Sequence, residues 1–375
     1  MSIENSVEKM SRDENAWLRK FRQDNLKIFK SLKWDKTKYT QMEFQEEELS
    51  VSNKMNGFSI QKTNEGVIFT DIFAAVKNYP FLQDYFHSEE NKVSSLVNSS
   101  FNSGFFLYVP KNSEETIEIP ALLVERTLSK NIIVVDENAK LNLICKSGSD
   151  KRADIAGMIF SIHLKDNSQL NLSSLQNLSQ ETTLLINQTA FLGRDAQLNW
   201  STGTLGGKQV KATRNIELAG EGSSANDMEV FFGNNEQHFE LYTNIYHRVP
   251  HTTGYSTTKG VLDDSSKALT QGLAKIQKSA PGSDSYLAEH IILVNPNSKA
   301  EPMPFMEIDT NDVKAKHSGF VSQLDEEKVF YLQSRGIEEK EARKLIVLGF
   351  LSPALDSAMG IKSDIQKLIE GKWKG

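Results

Sequence analysis

Cysteine is nearly absent from this chain: Cys145 is the single one among 375 residues. One thiol cannot close an internal disulfide, which fits a reducing compartment and gives the expectation of a cytoplasmic protein. Nor can one cysteine build a Cys-ligated zinc or iron–sulfur site within a single chain. Long apolar runs are missing as well. No stretch approaches the ~18 residues that a membrane helix needs, so no membrane association is expected. The first residues, MSIENSVEKMSRDENAW, are polar and lack the apolar segment of a secretory signal. Positive charge is not in excess, with 43 Lys+Arg against 49 Asp+Glu and a net charge of −6. Broad nucleic-acid binding needs a basic face to neutralise phosphates, so nucleic acid is not an expected partner.

The common catalytic signatures are missing too. There is no G-x-G-x-x-G, no G-x-S-x-G and no H-E-x-x-H. The run from Gly203 to Lys208 has glycines and a lysine, but lacks the spacer and the Ser/Thr of a phosphate-cradling loop. The expectation is therefore a protein that binds no nucleotide itself and is not a self-sufficient enzyme, with no catalytic and no cofactor-binding residues assigned.

What is present divides into three textures. The start reads as helix: Ser11 and Glu14 have capping-box spacing, and Trp17, Leu18, Phe21, Ile28, Phe29 and Leu32 share a helical face. A mixed stretch follows to about residue 90, where Ile72, Phe73, Val76, Tyr79 and Phe81 suggest a short helix stopped near Pro80. From about residue 100 the apolar runs become short and β-rich: Phe105 to Val109, Ile132 to Val135, Leu141 to Cys145 and Ile159 to Leu164, punctuated by Gly, Asn, Asp and Ser.

An internal repeat organises this middle region. Asn138-Ala139-Lys140-Leu141-Asn142-Leu143 is echoed by Asn167-Ser168-Gln169-Leu170-Asn171-Leu172 and by Asp195-Ala196-Gln197-Leu198-Asn199-Trp200. A polar turn, a small residue and an alternating strand recurring at this interval read as successive coils of a β-solenoid. The competing reading is a chance likeness between turn–strand units of a meander or sandwich. The tail returns to helix, with Ser322 and Asp325 at capping-box spacing and Gly336 placed to end the first helix in a left-handed turn. A second helix is predicted from Glu338 to Leu351, stopped by Ser352-Pro353, and a last one carries Ile361, Ile365, Leu368 and Ile369. The predicted organisation is a helical or mixed region over 1–95, a β core over 96–320 and a helical region over 321–375. The helical ends are expected to cap the solenoid and to offer docking surfaces.

Few residues suggest chemistry. His247 and His251 are four apart, a zinc-like spacing on a helix, but Pro250 and a β-like context separate them, and no third ligand is evident. His317, at the end of the β region, is a candidate iron ligand only if another chain supplies the rest. Cys145 reads as a packing residue in a strand, with Lys146 pointing to the opposite face. Asp263-Asp264 is the obvious acidic pair, but strand neighbours face opposite ways.

The C-terminal third resembles the SufB/SufD family of iron–sulfur cluster assembly proteins. The likeness rests on Ser322 to Ile337 (SQLDEEKVFYLQSRGI), Glu341-Ala342-Arg343, Asp312-Val313-Lys314, His317-Ser318-Gly319, His247, Pro250, Lys259 to Leu262, and Asp264-Ser265-Ser266. It covers about residues 245–350. The resemblance implies a right-handed parallel β-helix flanked by N-terminal and C-terminal helical regions. It also implies a SufC-type ATPase docked on about Asp325 to Leu355, where the amphipathic helices offer Phe330, Leu332, Arg335, Leu345, Ile346 and Phe350 as candidate contact residues. The other partner would be a SufB-like paralogue or a second copy of the chain. His317 carries over as a metal ligand to a transient iron–sulfur cluster at the partner interface. Lys316-His317-Ser318 and the lone cysteine make the chain more SufD-like than SufB-like, though Ala315 stands where many SufD-like chains carry Cys. Alternatives are a SufB-like homodimeric scaffold and a β-solenoid that binds or acts on polysaccharide.

Overall fold

A computed structural model of the chain describes residues 3–34, 65–123, 125–149, 153–356 and 358–373; part of the 1–95 region thus lies outside the described residues. Two helices, α1 (Ile3–Met10) and α2 (Ala16–Ser31), are followed by β1 (Ile68–Asp71), α3 (Ile72–Asn78) and α4 (Lys92–Ser100). Sixteen strands come next: β2 (Phe105–Val109), β3 (Glu114–Leu123), β4 (Thr127–Val135), β5 (Lys140–Ser149), β6 (Ile155–Leu164), β7 (Gln169–Asn177), β8 (Thr183–Leu192) and β9 (Gln197–Thr204). Then follow β10 (Gln209–Leu218), β11 (Ser224–Gly233), β12 (His238–His247), β13 (Thr253–Leu262), β14 (Lys267–Ile276), β15 (Ser283–Leu293), β16 (Lys299–Ile308) and β17 (Val313–Gln323). Three helices close the chain: α5 (Glu326–Ser334), α6 (Glu339–Leu355) and α7 (Lys362–Lys372).

Strands alternate between two sheets. Even-numbered strands from β2 to β16 lie side by side in one sheet, which β1 joins antiparallel at its edge, and odd-numbered strands from β3 to β17 form the other. Neighbours from β2 and β3 onward are parallel, so each even–odd pair is one coil of a β-solenoid. The sequence echo is the stack itself: Leu141 pairs with Leu170, and Leu170 with Leu198. One position along, Asn171 donates to Asn142 at 2.8 Å and Asn199 donates to Asn171 at 2.9 Å. Asn138, Asn167 and Asp195 all hold positive φ, at 57°, 57° and 52°. Short polar side chains tolerate this left-handed corner because they bond locally. Asn167 donates to Asn138, and Asn138 to Asn112, so the corners are laddered as well.

Between the sheets runs an apolar lumen that includes Leu141, Leu143, Cys145, Leu170, Leu172, Leu198 and Trp200. The described helices pack on the outer faces of the sheets and not on the ends of the stack, contrary to the expectation. The N-terminal helices pack on the outer face of the even-strand sheet, where Phe29, Leu96 and Val97 meet Ile132, Ile159 and Leu185. Helices α6 and α7 pack on the outer face of the other sheet, where Val347, Leu351 and Ile365 meet Leu175, Val230 and Val261. A sheet face buries far more apolar area than the narrow end of a coil, and the amphipathic helices go there.

Helix ends depart from the sequence reading in three places. Asn15, not Ser11, caps α2 by accepting from the Leu18 amide, while Glu14 pairs with the buried Arg22. Ser322 stays in β17, and Asp325 alone caps α5. Helix α6 runs through Pro353 to Leu355; the proline removes the donor for the carbonyl of exposed Gly349, which water can satisfy. Gly336 does end α5 at φ 88°, with the Ile337 amide reaching back to the Leu332 carbonyl.

Candidate functional site at the open end of the solenoid

Among the described residues, the last coil, β16 and β17, has neighbouring strands on one side only. Its surface carries exposed Phe305, Ile308, Phe320 and Val321. His317 is exposed at the centre of β17 and pairs with Leu287, a lumen residue. Paired residues of adjacent strands share a sheet face, so the His317 imidazole stands at the mouth of the lumen. Ala315 is on the same face, two positions earlier. Among the described residues there is no group of three or more His, Cys, Asp and Glu able to hold a metal ion. An iron centre at His317 would therefore draw its other ligands from elsewhere.

Beneath this mouth the lumen is polar. Along one column Cys145, Ser174, Thr202, Glu229, Thr258, Glu289 and Gly319 succeed one another from coil to coil. Arg214 reaches into it, donating to Asp227 at 2.7 Å and to Thr202 at 2.9 Å. Burial pushes the Asp227 and Glu229 carboxyls above their ordinary range, against the pull of the guanidinium. Burial pushes the carboxyl of Glu289, one coil below Gly319, up to about 7.

The other sequence candidates fall elsewhere. His247 is buried, with Nδ1 at 2.8 Å from Thr252 Oγ1, and burial holds it down to about 4. His251 is an exposed corner residue at φ 58°. One points inward and the other turns the chain, so they do not form a pair. Cys145 is buried in the lumen, and desolvation pushes its thiol up to about 12; such a thiol is not a nucleophile. Asp263 and Asp264 sit in the turn between β13 and β14.

On the C-terminal helices, Phe330 (72% exposed), Arg335 and Leu345 face outward. Leu332, Ile346 and Phe350 are partly buried against the protein's own helical core. Tyr331 also lies outward, bonded to Arg335 through its hydroxyl at 3.2 Å. The sequence reading omitted it, although its neighbour Phe330 was named. Glu289 was omitted too: its burial comes from register across coils, which no local pattern reveals.

The described residues thus form a parallel β-solenoid with a histidine at the mouth of its last coil. Residues 122–350 match the sequence model of the family described as "SUF system FeS cluster assembly, SufBD core domain". The chain is 27% identical over 356 residues to the iron-sulfur cluster assembly protein SufD of Bacillus subtilis (strain 168), covering 91% of this chain and 80% of that one. It is 25% identical to an iron-sulfur cluster assembly SufBD family protein of Staphylococcus epidermidis, covering 83% and 70%. The same figures hold for a SufBD family protein of Staphylococcus aureus. The chain belongs to the SufBD family of iron–sulfur cluster assembly proteins. No helix among the described residues is long and apolar enough to cross a membrane.

Proposed function

We propose that this chain is a SufD-like, non-catalytic scaffold subunit of a cytoplasmic iron–sulfur cluster assembly complex. It pairs through its open solenoid end with a SufB-like chain and carries a SufC-type ATPase on α5 and α6. Nucleotide hydrolysis belongs to the ATPase. The observation that carries this reading is the uncapped last coil with His317 at its mouth, in a chain of this family. A solenoid end with unpaired strand edges and exposed Phe305, Phe320 and Val321 leaves apolar surface and backbone groups to be satisfied by a partner. In the complex His317 offers one imidazole to a cluster in transit, whose remaining ligands come from the partner.

The test is reconstitution of the complex with wild type and His317→Ala, measuring complex mass and iron on the same samples. An exposed imidazole contributes little packing, so the complex should assemble while its iron content falls. Equal iron in two intact complexes would remove the ligand role. A chain that assembles only with itself would support the homodimeric alternative instead.

A further inference from the structure

We propose that the strap Tyr85–Glu89 is an acid-released latch, closed on strands β6 and β8 while His163 is neutral and lifted when that imidazole takes up a proton.

The strap runs between the N-terminal helices and the outer face of the even-strand sheet, and its residues alternate between the two. Tyr85, His87 and Glu89 face the sheet. Tyr85 meets the His163 ring edge-on at 4.7 Å, and His87 lies 6.0 Å from His163 and 6.1 Å from Phe191. The Glu89 carboxylate accepts from Thr189 Oγ1 at 3.2 Å and from Asn187, both on β8, and from Ser94 of α4 at 2.8 Å. Phe86 and Ser88 face the helices. Phe86 packs edge-on with Trp17 and Phe21, and Ser88 accepts from Asn25 at 2.9 Å. One side of the strap is therefore held by uncharged contacts, and the other by a row that includes two imidazoles.

His163 is where this row is vulnerable. Its ring stacks on Phe191 at 5.0 Å, and Ser161 Oγ lies 2.9 Å from its Nε2. The ionisable groups that act on it are all bases: His87 from the strap, Lys130 from β4, and Lys165 just past the end of β6. The acids of the strap side, Glu89 and Asp84, act on His87, and Glu89 acts on Lys130 as well. An imidazolium at His163 would thus be desolvated among two lysines and a second imidazole, with no carboxylate bonded to it. Burial and these neighbours push His163 down to about 3.

Lifting the strap returns the ring to water, where imidazole has an ordinary value of about 6.5. A value that is lower in the closed form favours closure above about 6.5, and that advantage is lost as pH falls toward 3. From pH 7 to pH 5 the ratio of lifted to closed strap should rise about 25-fold. The opening is local, because Phe29, Leu96 and Val97 keep the helices packed on Ile132, Ile159 and Leu185. His163 and Phe191 also line an open groove of about 610 Å³ that follows the coil corners past Gly193 and Gly220 to Pro250. A lifted strap lengthens that groove.

The test uses the full chain carrying Thr189→Cys, which puts a thiol beneath the strap at a position 8% exposed. Labelling with a pyridyl disulfide, normalised at each pH to a free thiol, reads the lifted fraction. Buried Cys145 monitors global unfolding in the same sample. Normalised labelling of the introduced thiol should rise about 25-fold from pH 7 to pH 5, with Cys145 unlabelled. Adding His163→Gln or His163→Phe should hold the rise below about threefold, whereas adding Glu89→Gln should leave it within about twofold of the parent. NMR titration of the wild-type imidazoles needs no variant, and His163 should stay neutral at pH 5 in the folded chain. A flat response, an equal rise in both His163 variants, a rise abolished by Glu89→Gln, Cys145 labelled in step, or a His163 midpoint near 6.5 would each overturn the inference.

Discussion

Glu289→Gln should make this protein more stable above neutral pH and leave it unchanged in acid. Glu289 is 3% exposed, and its carboxylate accepts from Thr270 Oγ1 at 3.2 Å and from the Met303 and Gly272 amides. These bonds favour the charged form, but desolvation outweighs them and raises the carboxyl from 4.5 to about 7. A folded-state value above the unfolded one means that the stabilising contribution is complete below about 4.5 and is lost as pH rises to about 7. Above that, folding carries the cost of burying the ion, about 3 kcal/mol at 1.36 kcal/mol per unit. Glutamine has the same shape and no charge to bury. Urea unfolding of both proteins from about pH 4 to about pH 8 should give a stability difference near zero at the acid end, growing to about 3 kcal/mol in favour of the variant. Shared titrations of other groups cancel in that difference. A gap that does not change with pH, or a variant less stable at the alkaline end, would refute burial as the dominant influence on Glu289.

Other outcomes follow from the same packing. Leu170 is fully buried between Leu141 and Leu198, so Leu170→Ala should lower unfolding free energy by about 3–5 kcal/mol in urea titration. Cys145, with its thiol at about 12 and buried, should resist thiol-labelling reagents in the native chain and react only on unfolding. Replacing the outward pair Phe330 and Tyr331 with Glu should reduce capture of a SufC-type ATPase at least about tenfold, with the melting temperature of the isolated chain unchanged.

The β core was legible because its repeat is carried by residues that the turn chemistry requires. Asn138, Asn167 and Asp195 mark the corner because the left-handed conformation favours them. The repeat fades from the sequence after Asp195, yet the conformation persists: Gly222, His251 and Gly282 hold positive φ at the same corner in later coils. Four residue types, Asn, Asp, Gly and His, solve one backbone problem, so no single motif continues. This also explains His251, which looked like half of a metal pair and is a corner residue. The C-terminal helices were legible from their caps and periodicity. Where they pack was not, because the apolar face of α6 is the same whether it closes the stack or lies on a sheet. The N-terminal helix hid its logic for another reason: its buried face includes Arg22 and Asn25, which a search for apolar periodicity skips. Arg22 is satisfied by Glu14 and by the Ser99 carbonyl, partners that only the fold brings close.

The polar lumen bears on how the stack keeps its register. Coils lined only by Leu, Ile and Ala would tolerate slippage between neighbours, since one aliphatic layer packs much like the next. From β9 onward several polar lumen groups bond one another within and between coils: Arg214 with Asp227 and Thr202, Asp227 with Ser256 at 3.0 Å, and Glu229 with Thr204 at 2.8 Å. A slip of one residue would send these groups to the outer face and apolar ones inward. The network is not a simple gain in stability, because ions buried in this way repay their desolvation only when fully bonded. What it supplies is a penalty for wrong pairings in the middle coils, from β9 to β13. Each coil stacks on the register of the one before it, so a register held there also fixes where β17 places Ala315, His317 and Gly319. A slip of one residue there would turn the imidazole away from the lumen.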